Sequence, residues 1–259
     1  FFGSGMQLIK LILLSAFWAF ARSEVLLNVG FDIAQGQDPE KGAVDINAYL
    51  SSHNLKWMRY YHVLVSGAPG AVPMRVAHLM FNNLTSWAKF EEENLQHTHA
   101  LMDNSWVNGR RGLWTRAEPP FPKSPKNERS DQNIGGYVFV VQYSIAKGKE
   151  SEFASRVARQ RQTMAQDVAD EPGYLESSSF ISKQFQSQFT HMELYEFNDL
   201  PSLTNLMYGP MYTSLFDTVK GFLSDFSAFI LTPGSGEAAG LFWPAAGADT
   251  VAGPGGEEL

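Results

Sequence analysis

The 259-residue chain reads as an α+β protein made of two tandem copies of one β-α-β-β-α-β unit. Three observations predict this: an internal repeat, matching runs of strand and helix periodicity, and turn residues at the same points of both copies. Phe31-Asp32-Ile33-Ala34-Gln35-Gly36 recurs as Tyr143-Ser144-Ile145-Ala146-Lys147-Gly148 at an offset of 112, and the FNNLTS of Phe81 to Ser86 recurs as the FNDLPS of Phe197 to Ser202 at an offset of 116. Two matches in one order at nearly equal offsets mark a repeated supersecondary unit.

Each unit opens on a strand. In VLLNVGFDIA, Leu27, Val29, Phe31 and Ile33 alternate with Asn28, Gly30 and Asp32; in VFVVQYSIA, Phe139, Val141, Tyr143 and Ile145 alternate with Val140, Gln142 and Ser144. Gly36 and Gly148 release the chain from these strands. The first helix is clearest in the second copy, where Phe153, Val157, Met164 and Val168 form one stripe, Arg156, Arg159, Arg161 and Gln162 lie mostly outside it, and Pro172-Gly173 stops it. In the first copy QGQDPEKGAVDINAYL places Pro and Gly where that helix would begin, so it is expected to be short or displaced.

Two strand-like runs follow in each copy: KWMRYYHVLVS and MRVAHLMF, then YLESSSFIS and FTHMELYEF. Each second run ends at the FN(N/D)L repeat, where Asn83 or Asp199 can cap the next helix. Those helices carry Trp87, Phe90, Leu95 and Leu101 in one copy and Leu215, Val219, Phe222 and Phe226 in the other; Gly209-Pro210 should kink or split the latter. GLWTRA and SAFILT close the two units.

The domain boundaries are then 24–117 for the first unit, 118–135 for a Pro/Ser-rich linker, 136–232 for the second unit and 233–259 for a Gly/Ala/Pro-rich tail. Residues 1–23 hold upstream residues and the layout of a signal peptide: Lys10, the apolar run Leu11 to Phe20, then small residues that place cleavage after Ala21 or after Ser23. The run is shorter than the ~20 residues of a comfortable bilayer span. The expectation is export to the periplasm or the extracellular space, with no stable membrane span after processing; an uncleaved anchor or a buried strand is the competing reading. Asn83-Leu84-Thr85 is a glycosylation sequon.

Charge and composition narrow the function. A formal net charge of −7 without a Lys/Arg run argues against nucleic acid as a partner. With no cysteine there are no disulfides, thiolate metal sites or thiol nucleophiles. No Gly-x-Ser-x-Gly elbow, phosphate loop or HExxH occurs.

The run Tyr143 to Phe153 (YSIAKGKESEF), the unit order and the Asn/Asp-Leu-x-Ser helix start resemble the dimeric α/β-barrel superfamily, which includes antibiotic-biosynthesis monooxygenase-like and stress-responsive barrel domains. That resemblance implies two ferredoxin-like units forming a pseudo-dimeric α/β barrel within one chain. It also implies a pocket between sheet and helices for a small apolar or aromatic molecule, and oxygenase-type chemistry without metal, flavin or other cofactor.

Within that frame the candidate catalytic residues are Asn28, His62 and His78, and the candidate ligand-binding residues are Tyr61, Trp87, Trp106 and Trp114. Asn28 is a polar amide in an apolar strand and needs a partner or a cavity. His62 and His78 lie on neighbouring strands and would share a cavity if the register permits; a histidine poised near neutrality can take a proton from a phenol or an acidic carbon. The bland readings are a solvent-facing amide for Asn28 and satisfied core or surface imidazoles for the histidines.

His97 and His99 point apart on a helix, and His99 with Asp103 lacks further ligands, so no metal site is expected. His191 and Glu193 share a strand face and read as an exposed pair. Haem in the manner of chlorite dismutases needs a histidine on the second unit's helical side, and none occurs after His191. The expected protein binds a small aromatic molecule as a monomer or homodimer, with cofactor-free oxygenase activity; the alternative is a non-catalytic binding or structural module.

Overall fold

The computed structural model describes residues 23–33, 55–66, 75–93, 106–127, 136–184 and 187–233. The expected first helix of the first copy, the apolar leader and the tail lie outside the described residues. Eight strands are present: β1 (Val25–Ile33), β2 (Trp57–Ser66), β3 (Arg75–Phe81), β4 (Trp106–Ala117), β5 (Tyr137–Ile145), β6 (Tyr174–Ser182), β7 (His191–Phe197) and β8 (Leu223–Pro233). Four helices occur among the described residues: α1 (84–93), α2 (Glu150–Asp170), α3 (Leu200–Tyr208) and α4 (Pro210–Val219).

The strands close an antiparallel barrel in the order β1-β3-β2-β8-β5-β7-β6-β4. The first four strands thus run β4-β1-β3-β2, and the last four repeat that order as β8-β5-β7-β6. Two seams join these sheets. Val63 pairs with Leu231 on one seam, and Thr115 with Ile181 on the other. The sequence left sheet edges free to pair between chains; here all four end strands pair within the chain, which removes the unpaired N–H and C=O rows of an edge.

Strand alternation divides the side chains into one inner and two outer cores. Inside lie Leu26, Tyr61, Met80, Val140, Phe180 and Leu231. Outside the first four strands, Leu27, Phe31, Tyr60 and Leu79 pack with Phe90 of α1, and the rings of Phe81 and Phe90 are 5.1 Å apart. Outside the last four, Phe139, Tyr195 and Phe197 meet Phe153 and Val157 of α2 and Leu203 of α3.

Both copies of the FN(N/D)L repeat start a helix in the same way. Asn83 Oδ1 accepts from the Ser86 N–H at 2.8 Å, and Asp199 Oδ1 accepts from the Ser202 N–H at 2.8 Å. As expected, the chain breaks between α3 and α4 at Gly209, whose backbone is extended (φ −74°, ψ 162°) ahead of Pro210. Gly173 takes φ +72° after α2, a conformation that favours glycine.

Residues 118–127 of the expected linker form a strap on the second sheet and α2. Phe121 is buried, its N–H donates to Ser177 Oγ, and the Ser177 hydroxyl donates back to the Phe121 carbonyl, each at 3.0 Å. The Ser124 hydroxyl donates to the Ala169 carbonyl at 2.8 Å, while Asn127 Nδ2 donates to the carbonyls of Glu171 and Tyr174 at 3.0 Å.

If both caps work alike, Asn83→Ala and Asp199→Ala should each lose about 1 kcal/mol, read from urea midpoints at constant slope. Asn83→Ser and Asp199→Ser should restore most of it.

Candidate functional site

The barrel interior is graded along its axis. Towards the end where β1 begins, Arg59 Nη1 pairs with Glu196 Oε1 at 2.5 Å, bridging the first and second sheets. The Arg59 guanidinium stacks over Trp57 at 4.5 Å. Burial works against its charge, but Glu196 and then Tyr61 more than offset that and raise its pKa. At the same rim Glu24 holds Lys56 and Arg116.

A row of side chains crosses β2, β3, β1 and β4 inside the wall: Arg59 opposes His78, His78 opposes Asn28, and Asn28 opposes Gly112. His78 is 1% exposed, and its ring meets Tyr61 edge-on with centroids 5.3 Å apart. Burial, then the nearby Arg59 charge, holds the imidazole neutral, with its pKa lowered to about 3. Such a ring is a weak base at neutral pH, so its geometry suits a hydrogen-bonding or packing role better than proton abstraction.

Beyond this row lies a cavity of about 280 Å³ at the other end of the barrel. Trp114, Phe189, Phe226 and Phe229 supply aromatic walls, while Gln142, Gln188 and Ser227 lie among its polar lining. Arg110 and Arg111 also line it, and Arg111 is paired with Glu91. Two buried polar atoms of lining residues have no hydrogen-bond partner among the described residues: Asn28 Oδ1 and Trp114 Nε1. Leaving such groups unpaired costs about 1–3 kcal/mol each, so a bound molecule that satisfies them has a ready source of affinity.

The structure therefore brings Asn28, Tyr61, His78 and Trp114 to the barrel interior rather than between sheet and helices. His62 is on the opposite face: it pairs in register with Arg75 and Thr232, and its ring lies 5.9 Å from that of Tyr60. His78 lies on the neighbouring strand, three residues beyond the Arg75 that opposes His62, and faces inward, so the two histidines do not share a cavity. Trp87 packs on the outer core of the first sheet. Trp106 opens β4 opposite Ile33, and its side chain is outside the described residues.

A second constellation escaped the sequence reading. In the cleft between the second sheet and its helices, Glu193 is 5% exposed and pairs with Arg161 of α2. It accepts from the Tyr143 hydroxyl at 2.8 Å and from the Tyr195 hydroxyl. Burial, then Glu193, raises both tyrosine pKa values. His191 stacks flat on Tyr143 at 5.0 Å. The open space there is only about 50 Å³. Glu193 is therefore the centre of a buried, satisfied network rather than half of an exposed pair, and Arg161 belongs on the inward stripe. The four-residue step from Val157 to Arg161 was the available signal. Helices α2, α3 and α4 contain no histidine, so they offer haem iron no axial imidazole.

A closed eight-stranded antiparallel barrel with helices on its outside is the fold of the dimeric α/β-barrel superfamily, and this chain has that fold. It is similar to a candidate monooxygenase from Fusobacterium nucleatum over 82% of this chain and 92% of that one (TM-score 0.59, 12% identity). It also resembles an anthrone oxidase-like protein (82% and 92%, TM-score 0.56, 10% identity) and a chlorite dismutase mutant from Candidatus Nitrospira defluvii (84% and 93%, TM-score 0.54, 10% identity). No protein-family model matches the sequence, and no curated protein does. Identities this low carry the fold and leave activity to the site.

Because the folded His78 pKa lies below its ordinary value, the unfolded chain takes up the extra proton first. The His78 contribution to stability is thus present above about pH 6.5 and lost as pH falls towards about 3, at up to ~1.4 kcal/mol per pH unit. His78→Gln should flatten that part of the stability–pH curve in chemical denaturation; an unchanged curve would show that His78 does not titrate this way.

Proposed function

We propose that this is a monooxygenase-like α/β barrel that binds a small apolar or aromatic molecule in the barrel cavity. The observation that carries this reading is a cavity of about 280 Å³ with aromatic walls and two buried polar atoms, Asn28 Oδ1 and Trp114 Nε1, that have no partner among the described residues. That volume lies near the lower end of ligand pockets, which suits a ligand of one to three rings. The recurrence of the strand order in both sheets, with equivalent caps at Asn83 and Asp199, supports two tandem ferredoxin-like units.

The activity favoured by the structural neighbours is oxidation of the bound molecule by oxygen. In a balanced form an activated CH₂ becomes C=O, the substrate supplies the electrons, one oxygen atom is retained and the other leaves as water. Asn28 would orient the substrate, and Trp114 would donate to its oxygen. One observation favours a non-catalytic binding module instead: no carboxylate or imidazole lines the cavity among the described residues.

Calorimetry with one- to three-ring aromatics, paired with an oxygen electrode, tests both readings. Binding with oxygen uptake supports the oxygenase, and binding without uptake supports the module. Ser227→Phe should fill the cavity and weaken binding at least about tenfold while the circular dichroism spectrum is retained. Absence of binding across the panel would refute the cavity reading.

We also propose export through the N-terminal leader. Mass spectrometry of the processed protein should then find Arg22 or Glu24 at its N-terminus. A retained Leu11 to Phe20 segment would contradict it.

A further inference from the structure

Resting on the reading that the cavity holds an aromatic molecule, we infer that its inner end is a hydroxyl clamp. Asn28 Oδ1 and Trp114 Nε1 take the two sides of one ligand oxygen, which makes the ligand class a phenol. Both atoms are buried and lack partners among the described residues, and Trp114 is 3% exposed. One is an acceptor and the other a donor. A phenolic hydroxyl donates to the first while accepting from the second, whereas an ether or ketone oxygen can only accept.

The β1–β4 register brings the two atoms together. Asn28 directly opposes Gly112, and the Trp114 Nε1 lies 2.5 Å from where a Cβ on Gly112 would be. Directly opposed residues hold their Cβ positions about 4.5–5.5 Å apart. The indole N–H therefore occupies the side-chain position that faces Asn28, and a single oxygen can sit within reach of both groups.

Gly112 is a positioning residue in this arrangement. Any larger side chain would meet the indole nitrogen and turn it away, because 2.5 Å is closer than a Cβ approaches such an atom. The clamp thus depends on glycine at a strand position where β propensity disfavours it.

The test is calorimetric titration of the whole chain with 1-naphthol, 1-methoxynaphthalene and naphthalene. The wild-type protein should bind the naphthol at least about tenfold more tightly than its methyl ether, the scale of a lost buried hydrogen bond. Trp114→Phe, Asn28→Leu and Gly112→Ala should each bring that ratio towards one. Naphthalene binding should persist in these variants and confirms that the cavity is intact. Equal binding of naphthol and ether by the wild type, with both lost in Ser227→Phe, would overturn the clamp and leave the cavity reading standing. A ratio unchanged in Gly112→Ala and Trp114→Phe would also overturn it, while binding of none of the three compounds would overturn both readings.

Discussion

The arrangement depends on sheet closure. A four-stranded sheet with helices on one side has two edges of unsatisfied backbone groups and one uncovered apolar face. In this chain the β2–β8 and β4–β6 seams answer both problems: they pair the edges and turn the two uncovered faces towards each other as the lining of a barrel. A single inner core results, with ionic groups at one rim, an aromatic middle, and a cavity at the other end.

Burial on this scale sets the chemistry of the polar groups inside. Arg59 remains charged because Glu196 reaches it across the interior, while His78, opposite it on the next strand, stays neutral because burial and that same arginine both oppose its proton. Asn28 Oδ1 and Trp114 Nε1 have no such partner among the described residues, and both residues line the cavity. Outside the wall, Glu193 shows the contrasting solution, with Arg161 and two tyrosine hydroxyls taking up its oxygens.

Much of the framework was legible in the residues. Alternation in VLLNVGFDIA correctly separated inward Asn28 and Gly30 from outward Leu27 and Phe31, and Gly209-Pro210 marked the break between α3 and α4. Pairing across strands was harder to see. Whether His62 and His78 share a face depends on a one-residue difference in parity between two strands, which propensity does not encode. The start of β4 at Trp106 was hidden by the polar run VNGRR, of which Arg110 and Arg111 line the cavity. The strap was hidden too, since Pro and Ser in EPPFPKSPKN look like a spacer until Phe121 and Ser124 are seen to be buried. Partnerships such as Arg161 with Glu193 lie 32 residues apart and have no local signature.

The register exposes a difference between the two sheets. By the repeat offsets, Asn28 corresponds to Val140 and His78 to Leu194, and these pairs occupy matching places: Asn28 faces His78 on β1–β3, as Val140 faces Leu194 on β5–β7. Met80 likewise corresponds to Glu196, and Ala77 to Glu193. An assembly of two identical subunits would have to duplicate every inward polar group about its twofold axis. Linking unlike halves in one polypeptide lifts that obligation, so the lumen can carry Asn28 and His78 on one wall where the other carries Val140 and Leu194. The twofold resemblance of the backbone is thus not matched by a twofold resemblance of the surface that it encloses.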